Sequence, residues 1–219
     1  MSKIKPLVCF DMDNTLLKSD KIHIEAFVKA FLKHRLKKPC RRELAKHLTG
    51  EPAELIVKNI YPNLKPKEIK QIVEEHDDFV AKETYIYAKS IMGVDQALKE
   101  IKKHFTLVLI SNCKKKEIKP ILKGAKINHK YFKKIIGHDE VKHSKPSPDM
   151  IFKAARLTHH KAKCIVGDSV LDIKAGKKAK IKTIAVTTGH HSKKELSKAD
   201  KVVKDITKVP SILKELFQK

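Results

Sequence analysis

From residue 94 onward, short apolar runs alternate with amphipathic stretches, and this alternation restricts the fold more than any other feature of the chain. The runs TLVLI (106–110), KIIG (134–137), CIVG (164–167), TIAV (183–186) and KVV (201–203) are strand-sized. The stretches over 94–101, 115–123, 148–157, 171–179 and 209–217 carry helical spacing. A chain that repeats strand and helix in this way builds a parallel sheet covered by helices on both faces, a doubly wound α/β fold. One further apolar run, LVCF (7–10), stands near the amino terminus and reads as another buried strand.

Between these two parts the pattern changes. Ile24, Phe27, Val28, Phe31 and Leu32 fall at i, i+3, i+4, i+7 and i+8, the stripe of an amphipathic helix. Further helices are expected over 41–47, 52–60 and 66–87, the last opened by Pro66 and striped by Ile69, Ile72, Val73, Phe79 and Val80. No strand is expected in this segment. The chain therefore divides into an α/β core, residues 1–17 and 89–219, and an inserted helical domain, residues 18–88.

In open parallel sheets ligands bind beyond the carboxyl ends of the strands, so the residues that follow each strand matter. LVCF runs into Asp11-Met12-Asp13, LVLI into Ser111-Asn112, and CIVG into Asp168-Ser169. A fourth element, Lys145-Pro146-Ser147-Pro148, opens a helix. Singly each is weak: D-x-D-x-T at 11–15 reads equally as an acidic turn, and Ser111 as a helix cap. Their common order and placement at one sheet edge carry the argument.

Composition narrows the partners. A formal charge of +24 favours anions such as phosphorylated metabolites, nucleic acid or acidic membranes. Arginine, the better bidentate reader of phosphates and bases, is confined to Arg35, Arg41, Arg42 and Arg156, and aromatic residues are only 5 % with no Trp. Nucleic acid is thus permitted but not favoured, and the lysine excess equally fits a compositional habit of the source organism. No run is long enough for a signal peptide or membrane span, so a soluble cytoplasmic protein with no membrane partner is expected. Cys9, Cys40, Cys113 and Cys164 match no paired spacing and read as free thiols. His159–His160 and His190–His191 read as solvated loop histidines. Oligomeric state is unreadable.

The ordered motifs, with Ile136-Gly137-His138-Asp139-Glu140-Val141 ahead of Lys145 and Gly167-Asp168-Ser169-Val170-Leu171-Asp172, resemble the haloacid dehalogenase-like superfamily over essentially the whole chain. The likeness is to the branch with a helical cap on a Rossmann-like core, nearest phosphoglycolate phosphatases and β-phosphoglucomutases. It implies a phosphatase acting on small phosphate monoesters through an aspartyl-phosphate. Asp11 is then the nucleophile and Asp13 the proton donor and later base, with its pKa raised towards neutrality by crowded carboxylates. Lys145 supplies fixed positive charge. The phosphate is held by Met12, Asp13, Ser111, Asn112 and Lys145. A magnesium ion is held by Asp11, Asp168 and the Asp13 main-chain carbonyl, because four clustered aspartates beside a phosphate require a cation. Asp172 is expected in the outer shell, direct ligation being the minority option. Thr15 and Ser169 support the loops.

Departures from the family bear on substrate. Lys18 stands where an acidic residue is common. Ala53, within LTGEPAEL (48–55), stands where sugar-phosphate mutases carry a phosphate-binding arginine, which argues against a phosphomutase. His23 falls where mutases place a histidine tied to cap closure, and reads equally as a solvated helix histidine. Lys114-Lys115-Lys116 is either a solvated helix start or a guide for anionic substrates. A nucleic-acid end phosphatase and a catalytically silent scaffold are the other rivals.

Overall fold

The computed structural model describes residues 5–217. Residues 1–4, part of the amino-terminal stretch read for targeting signals, and 218–219, the end of the expected core, lie outside the described residues. β1 (Leu7–Phe10) is followed by β2 (Leu17–Lys18), then α1 (Asp20–Lys33), α2 (Arg41–Lys46), α3 (Ala53–Ile60) and α4 (Pro66–Lys82), and then β3 (Lys89–Ser90). The remainder alternates: α5 (Val94–His104), β4 (Thr106–Ser111), α6 (Lys115–Gly124), β5 (Lys134–Gly137), α7 (Asp149–Thr158), β6 (Ala162–Gly167), α8 (Val170–Lys178), β7 (Lys182–Val186), α9 (Lys193–Leu196), β8 (Lys201–Val203) and α10 (Val209–Phe217).

The large sheet is parallel, in the order β5-β4-β1-β6-β7-β8. Successive strand residues point to opposite faces, and the core separates accordingly. Val8 and Phe10 of β1, Leu107 and Leu109 of β4 pack with Leu98 of α5, Ile118 of α6 and Leu213 of α10. Leu7, Cys9, Val108 and Ile110 turn the other way, onto Met150 and Ile151 of α7 and Ala175 of α8. Both faces are dry, as the doubly wound reading requires. All four residues of β1 are fully buried, each large apolar side chain contributing roughly 1.5–3 kcal/mol.

The helical segment has its own core of Phe27, Phe31, Leu44, Ile56, Val57, Ile72 and Val73. Leu32, assigned to the inner stripe from spacing, is instead 54 % exposed. α1 is wedged between two cores: Ile22 and Ala26 face the sheet-side cluster, while Phe27 and Phe31 face the helical one. Its buried arc is broad and rotated away from Leu32.

Three other expectations are corrected. The fourth helix ends at Lys82, and a 3₁₀ turn (Thr84–Tyr87) completes the stretch expected to be helical to 87. The segment is bounded by strands after all: β2 and β3 form an antiparallel ribbon, Leu17 opposite Ser90 and Lys18 opposite Lys89. Two-residue strands have no period to detect. The loop histidines are not simply solvated, since His160 Nδ1 bonds the Lys5 carbonyl and His190 Nε2 lies 3.0 Å from Asp20 Oδ1. The four cysteines are free.

Candidate active site

Asp11 follows the buried end of β1, and its N–H donates to the Val166 carbonyl of β6 at 2.9 Å. The chain then turns sharply: Asn14 takes the left-handed conformation (φ 53) that asparagine tolerates, and its N–H meets the Leu17 carbonyl at 2.7 Å. This turn sets Asp11 and Asp13 at the same sheet edge with their carboxylates engaged differently.

Asp11 faces the core. Lys145 Nζ lies 2.5 Å from Asp11 Oδ1 and 2.8 Å from Asp172 Oδ1, with the lysine 4 % exposed. The Thr15 hydroxyl lies 3.1 Å from Asp11 Oδ2 and 3.2 Å from Asp168 Oδ1. Asp172 is held by the Ser169 hydroxyl, which donates to Oδ2 at 2.6 Å, and by the Ser169 N–H at 3.2 Å. Gly167 is required here: a methyl group on it would land on the Asp172 carboxyl. Asn112 steadies the Lys145 loop, its Oδ1 accepting from the Lys145 N–H at 3.2 Å, while its Nδ2 donates to the Gly50 carbonyl at 2.9 Å.

Two buried carboxylates therefore share one lysine, with a third, Asp168, linked to Asp11 through the Thr15 hydroxyl. Burial, followed by the charges of Asp172 and Asp13, pushes Asp11 up to about 7 against the pull of Lys145. Burial and the neighbouring Asp11 and Asp172 hold Asp168 well above the ordinary carboxylate range. Burial works against the charge on Lys145, but Asp11 and Asp172 outweigh it and raise its pKa. Ligand oxygens of Asp11, Asp168 and Asp172 lie within 4.8 Å of one another. An all-oxygen set with a surplus of two negative charges fits a hard divalent cation.

The Asp13 carboxylate is engaged by other partners than this cluster, and the expected rise of its pKa is corrected: the shift is downward. Its Oδ1 lies 3.5 Å from His23 Nε2 of α1, and its Oδ2 accepts from the Ser111 hydroxyl and the Cys113 thiol, both at 3.3 Å. Burial alone would raise Asp13, but the hydrogen bond and charge of His23, with Ser19 and Cys113, lower it to about 2. His23 is raised in return, because Asp13 outweighs the burial that opposes its charge. The pair shares a proton carried on the imidazole. The solvated reading of His23 is excluded, as its side chain is only 14 % exposed.

The remaining sequence-selected residues are near. The Met12 side chain is fully buried, so only its main chain is free for a ligand. The Ser111 hydroxyl accepts from the Cys113 N–H at 3.0 Å while donating to Asp13. Ala53 lines the cavity, which is ≈ 90 Å³, room for a compact ligand or a few waters.

Several residues at this site escaped the sequence reading. Behind His23 stands His76 of α4: His23 Nδ1 and His76 Nε2 are 3.2 Å apart, His76 Nδ1 and Asp77 Oδ1 3.0 Å, and Asp77 Oδ2 meets Lys114 Nζ at 2.6 Å. Burial lowers the His76 pKa to about 4, so it is a neutral link. A signal existed: His76 falls three residues after Val73 and four before Val80, a polar residue on an apolar stripe. Glu117 of α6 also lines the cavity at 2 % exposure. The lysine run is neither free nor merely solvated. Lys114 pairs with Asp77, Lys115 with Glu140 at 2.8 Å, and Lys116 with Asp78 at 2.7 Å.

Comparison with known proteins bears on this arrangement. The family model for haloacid dehalogenase-like hydrolases matches residues 8–186. A phosphoglycolate phosphatase of Pseudomonas fluorescens is 29 % identical over 193 residues, 84 % of this chain and 70 % of its own length. The pyrophosphatase PpaX of Anoxybacillus flavithermus is 29 % identical over 188 residues, 82 % of each chain. A haloacid dehalogenase-like family hydrolase of Streptococcus pneumoniae superposes with a TM-score of 0.79 at 20 % identity, over 97 % of this chain and 100 % of that one. Among the described residues no helix is long and apolar enough to cross a membrane.

Proposed function

The chain belongs to the haloacid dehalogenase-like hydrolases, and from that premise we propose that it is a magnesium-dependent phosphatase of small phosphate monoesters. The observation that carries the reading is the contrast between two aspartates two residues apart. Asp11 is held by Lys145 among other carboxylates, and Asp13 is held by His23.

Phosphate monoesters resist attack because they are already anionic, so catalysis rests on positioning and charge neutralisation. Asp11, aligned by Lys145 and Thr15, attacks phosphorus and forms an acyl phosphate as the bond to the leaving oxygen breaks. That oxygen takes a proton from the Asp13–His23 pair through Asp13. Water then attacks the acyl phosphate, Asp13 accepts its proton, and inorganic phosphate leaves with the Asp11 carboxylate restored. Lys145 and the main chain at Met12, Asp13, Ser111 and Asn112 hold the phosphoryl oxygens. A magnesium ion held by Asp11, Asp168 and the Asp13 carbonyl supplies, when bound, the positive charge that keeps Asp11 ionised beside the phosphate dianion. Asp172 and Ser169 orient Lys145.

Residues 18–88 act as a cap over the 1–17 and 89–219 core. Because His23 sits on the cap and Asp13 on the core, closure brings the proton store to the reacting centre and excludes water.

The test is phosphate release from para-nitrophenyl phosphate. Turnover is expected with magnesium, its loss in EDTA, and its return on adding excess magnesium. Rates unaffected by EDTA, or no turnover with magnesium present, would reject the reading.

A further inference from the structure

The charge lining the cavity is opposite to that of the chain. Although the protein carries +24 overall, Lys145 is the sole lysine or arginine among the described residues lining the cavity, against Asp11, Asp13, Asp168 and four further carboxylates: Asp20, Glu51, Asp77 and Glu117. Lys145 is already committed to Asp11 and Asp172. A leaving group with its own carboxylate or second phosphate would enter this cavity with no uncommitted lysine or arginine among the described lining residues to meet it, and desolvating an unpaired charge is expensive.

Most of the carboxylates are accounted for. Asp13 pairs with His23, Asp77 with Lys114, and Asp20 with His190; Asp11 and Asp168 belong to the lysine and metal cluster, and Glu51 is half-buried. Glu117 is different. It is 2 % exposed, its Oε2 accepts only the Lys114 N–H at 2.6 Å, and its Oε1 is buried without a hydrogen-bond partner. Burial, then the charge of Asp77, raises its pKa to about 8 against the weaker pull of His23, as expected of a buried carboxyl that no cation pairs directly. An unpaired carboxyl buried in a cavity wall has a desolvation cost that a bound donor would relieve.

A metal suits this position less well than a nitrogen cation. His76 has both ring nitrogens engaged, with Asp77 and with His23, and the Lys114 ammonium already stands 2.6 Å from Asp77. One carboxyl remains, and on giving up its proton it balances one ammonium. We infer that the leaving group carries a primary amine: the substrate class is a short aminoalkyl phosphate whose ammonium binds Glu117 while its phosphate meets Asp11. This rests on the phosphatase reading and specifies its substrate. It sets the chain apart from relatives named for phosphoglycolate and pyrophosphate, and it accounts for the small cavity, which fits a chain of few carbons.

Three two-carbon esters of nearly equal size test it: 2-aminoethyl phosphate, 2-hydroxyethyl phosphate and phosphoglycolate, whose tails are cationic, neutral and anionic. The wild type should show kcat/KM for the amine at least about tenfold above the alcohol, with phosphoglycolate lowest. In Glu117→Gln, which keeps an acceptor for the Lys114 N–H, the amine-to-alcohol ratio should fall to within about threefold of unity. Taking the ratio cancels any general loss of folding or rate, and the wild-type ranking stands even if the variant does not fold. A preference for phosphoglycolate, equal use of amine and alcohol, or an amine preference that survives Glu117→Gln would overturn the inference. So would a second equivalent of Mn²⁺ bound by the wild type and lost in Glu117→Gln, because the carboxyl would then serve a metal. If para-nitrophenyl phosphate is also inert with magnesium, the phosphatase reading itself has failed; if it is turned over without amine preference, only this inference has.

Discussion

Asp11→Asn should lower phosphate release by at least about 10⁴-fold, the scale on which enzymes lose rate when their nucleophile is removed. The amide matches the carboxylate in shape but is a far poorer nucleophile and cannot regenerate through an acyl phosphate. Its partners should remain in place, because Lys145 keeps Asp172 at 2.8 Å and Thr15 keeps Asp168 at 3.2 Å. Acid-quenched wild type should yield a phosphorylated peptide containing Asp11, and the variant none. Residual turnover above about a hundredth of wild type, with the label elsewhere, would remove Asp11 from the reaction.

Lys145→Ala should be the most damaging substitution to the fold as well as to activity. It strips the lysine from buried Asp11 and Asp172 and removes its charge from beside Asp168, and breaking a buried ion pair in this way costs about 3–5 kcal/mol. At roughly 2–4 °C per kcal/mol for a chain of this size, melting should fall by about 6–20 °C. The loss should depend on pH. Asp11 already binds its proton more tightly when folded, at about 7, than in the unfolded chain, where a free aspartate titrates near 3.9. A folded state that holds extra protons loses stability as pH rises from about 4 through 7. Without Lys145 the folded pKa of Asp11 must climb further, so the variant's deficit should be larger at pH 8 than at pH 5, and added magnesium should recover part of it. Urea denaturation at both pH values, with and without magnesium, measures this. An identical deficit under all four conditions would falsify the account of the charge cluster.

Much of the core was legible because its signals are local. LVCF, KIIG and KVV became β1, β5 and β8 with their expected limits, and the motif residues gather at the carboxyl edge of the sheet since strand order alone carries them there. What could not be read depends on elements distant in sequence. The sense of the Asp13 shift was missed because crowding with other aspartates was assumed. The turn at Asn14 instead aims Asp13 at His23 of α1, a residue singled out by its position but not as the partner of Asp13. Glu117 and His76 belong to α6 and α4, so their meeting is a product of helix packing. Leu32 was misplaced for a related reason: spacing gives the period of a helix, but not how wide an arc its neighbours will cover.

The three consecutive lysines that open α6 have a further consequence. Two of them reach across to α4, Lys114 to the buried Asp77 and Lys116 to the half-exposed Asp78, so they tie α6 to α4 of the helical segment and do not stand as free charge at the mouth. Exposed pairs such as Lys116–Asp78 are worth at most about 1 kcal/mol and weaken as salt screens them. Ionic strength thereby becomes a dial on residence time: raising it should hasten product escape, whereas a guiding field would have made the enzyme slower to capture its substrate.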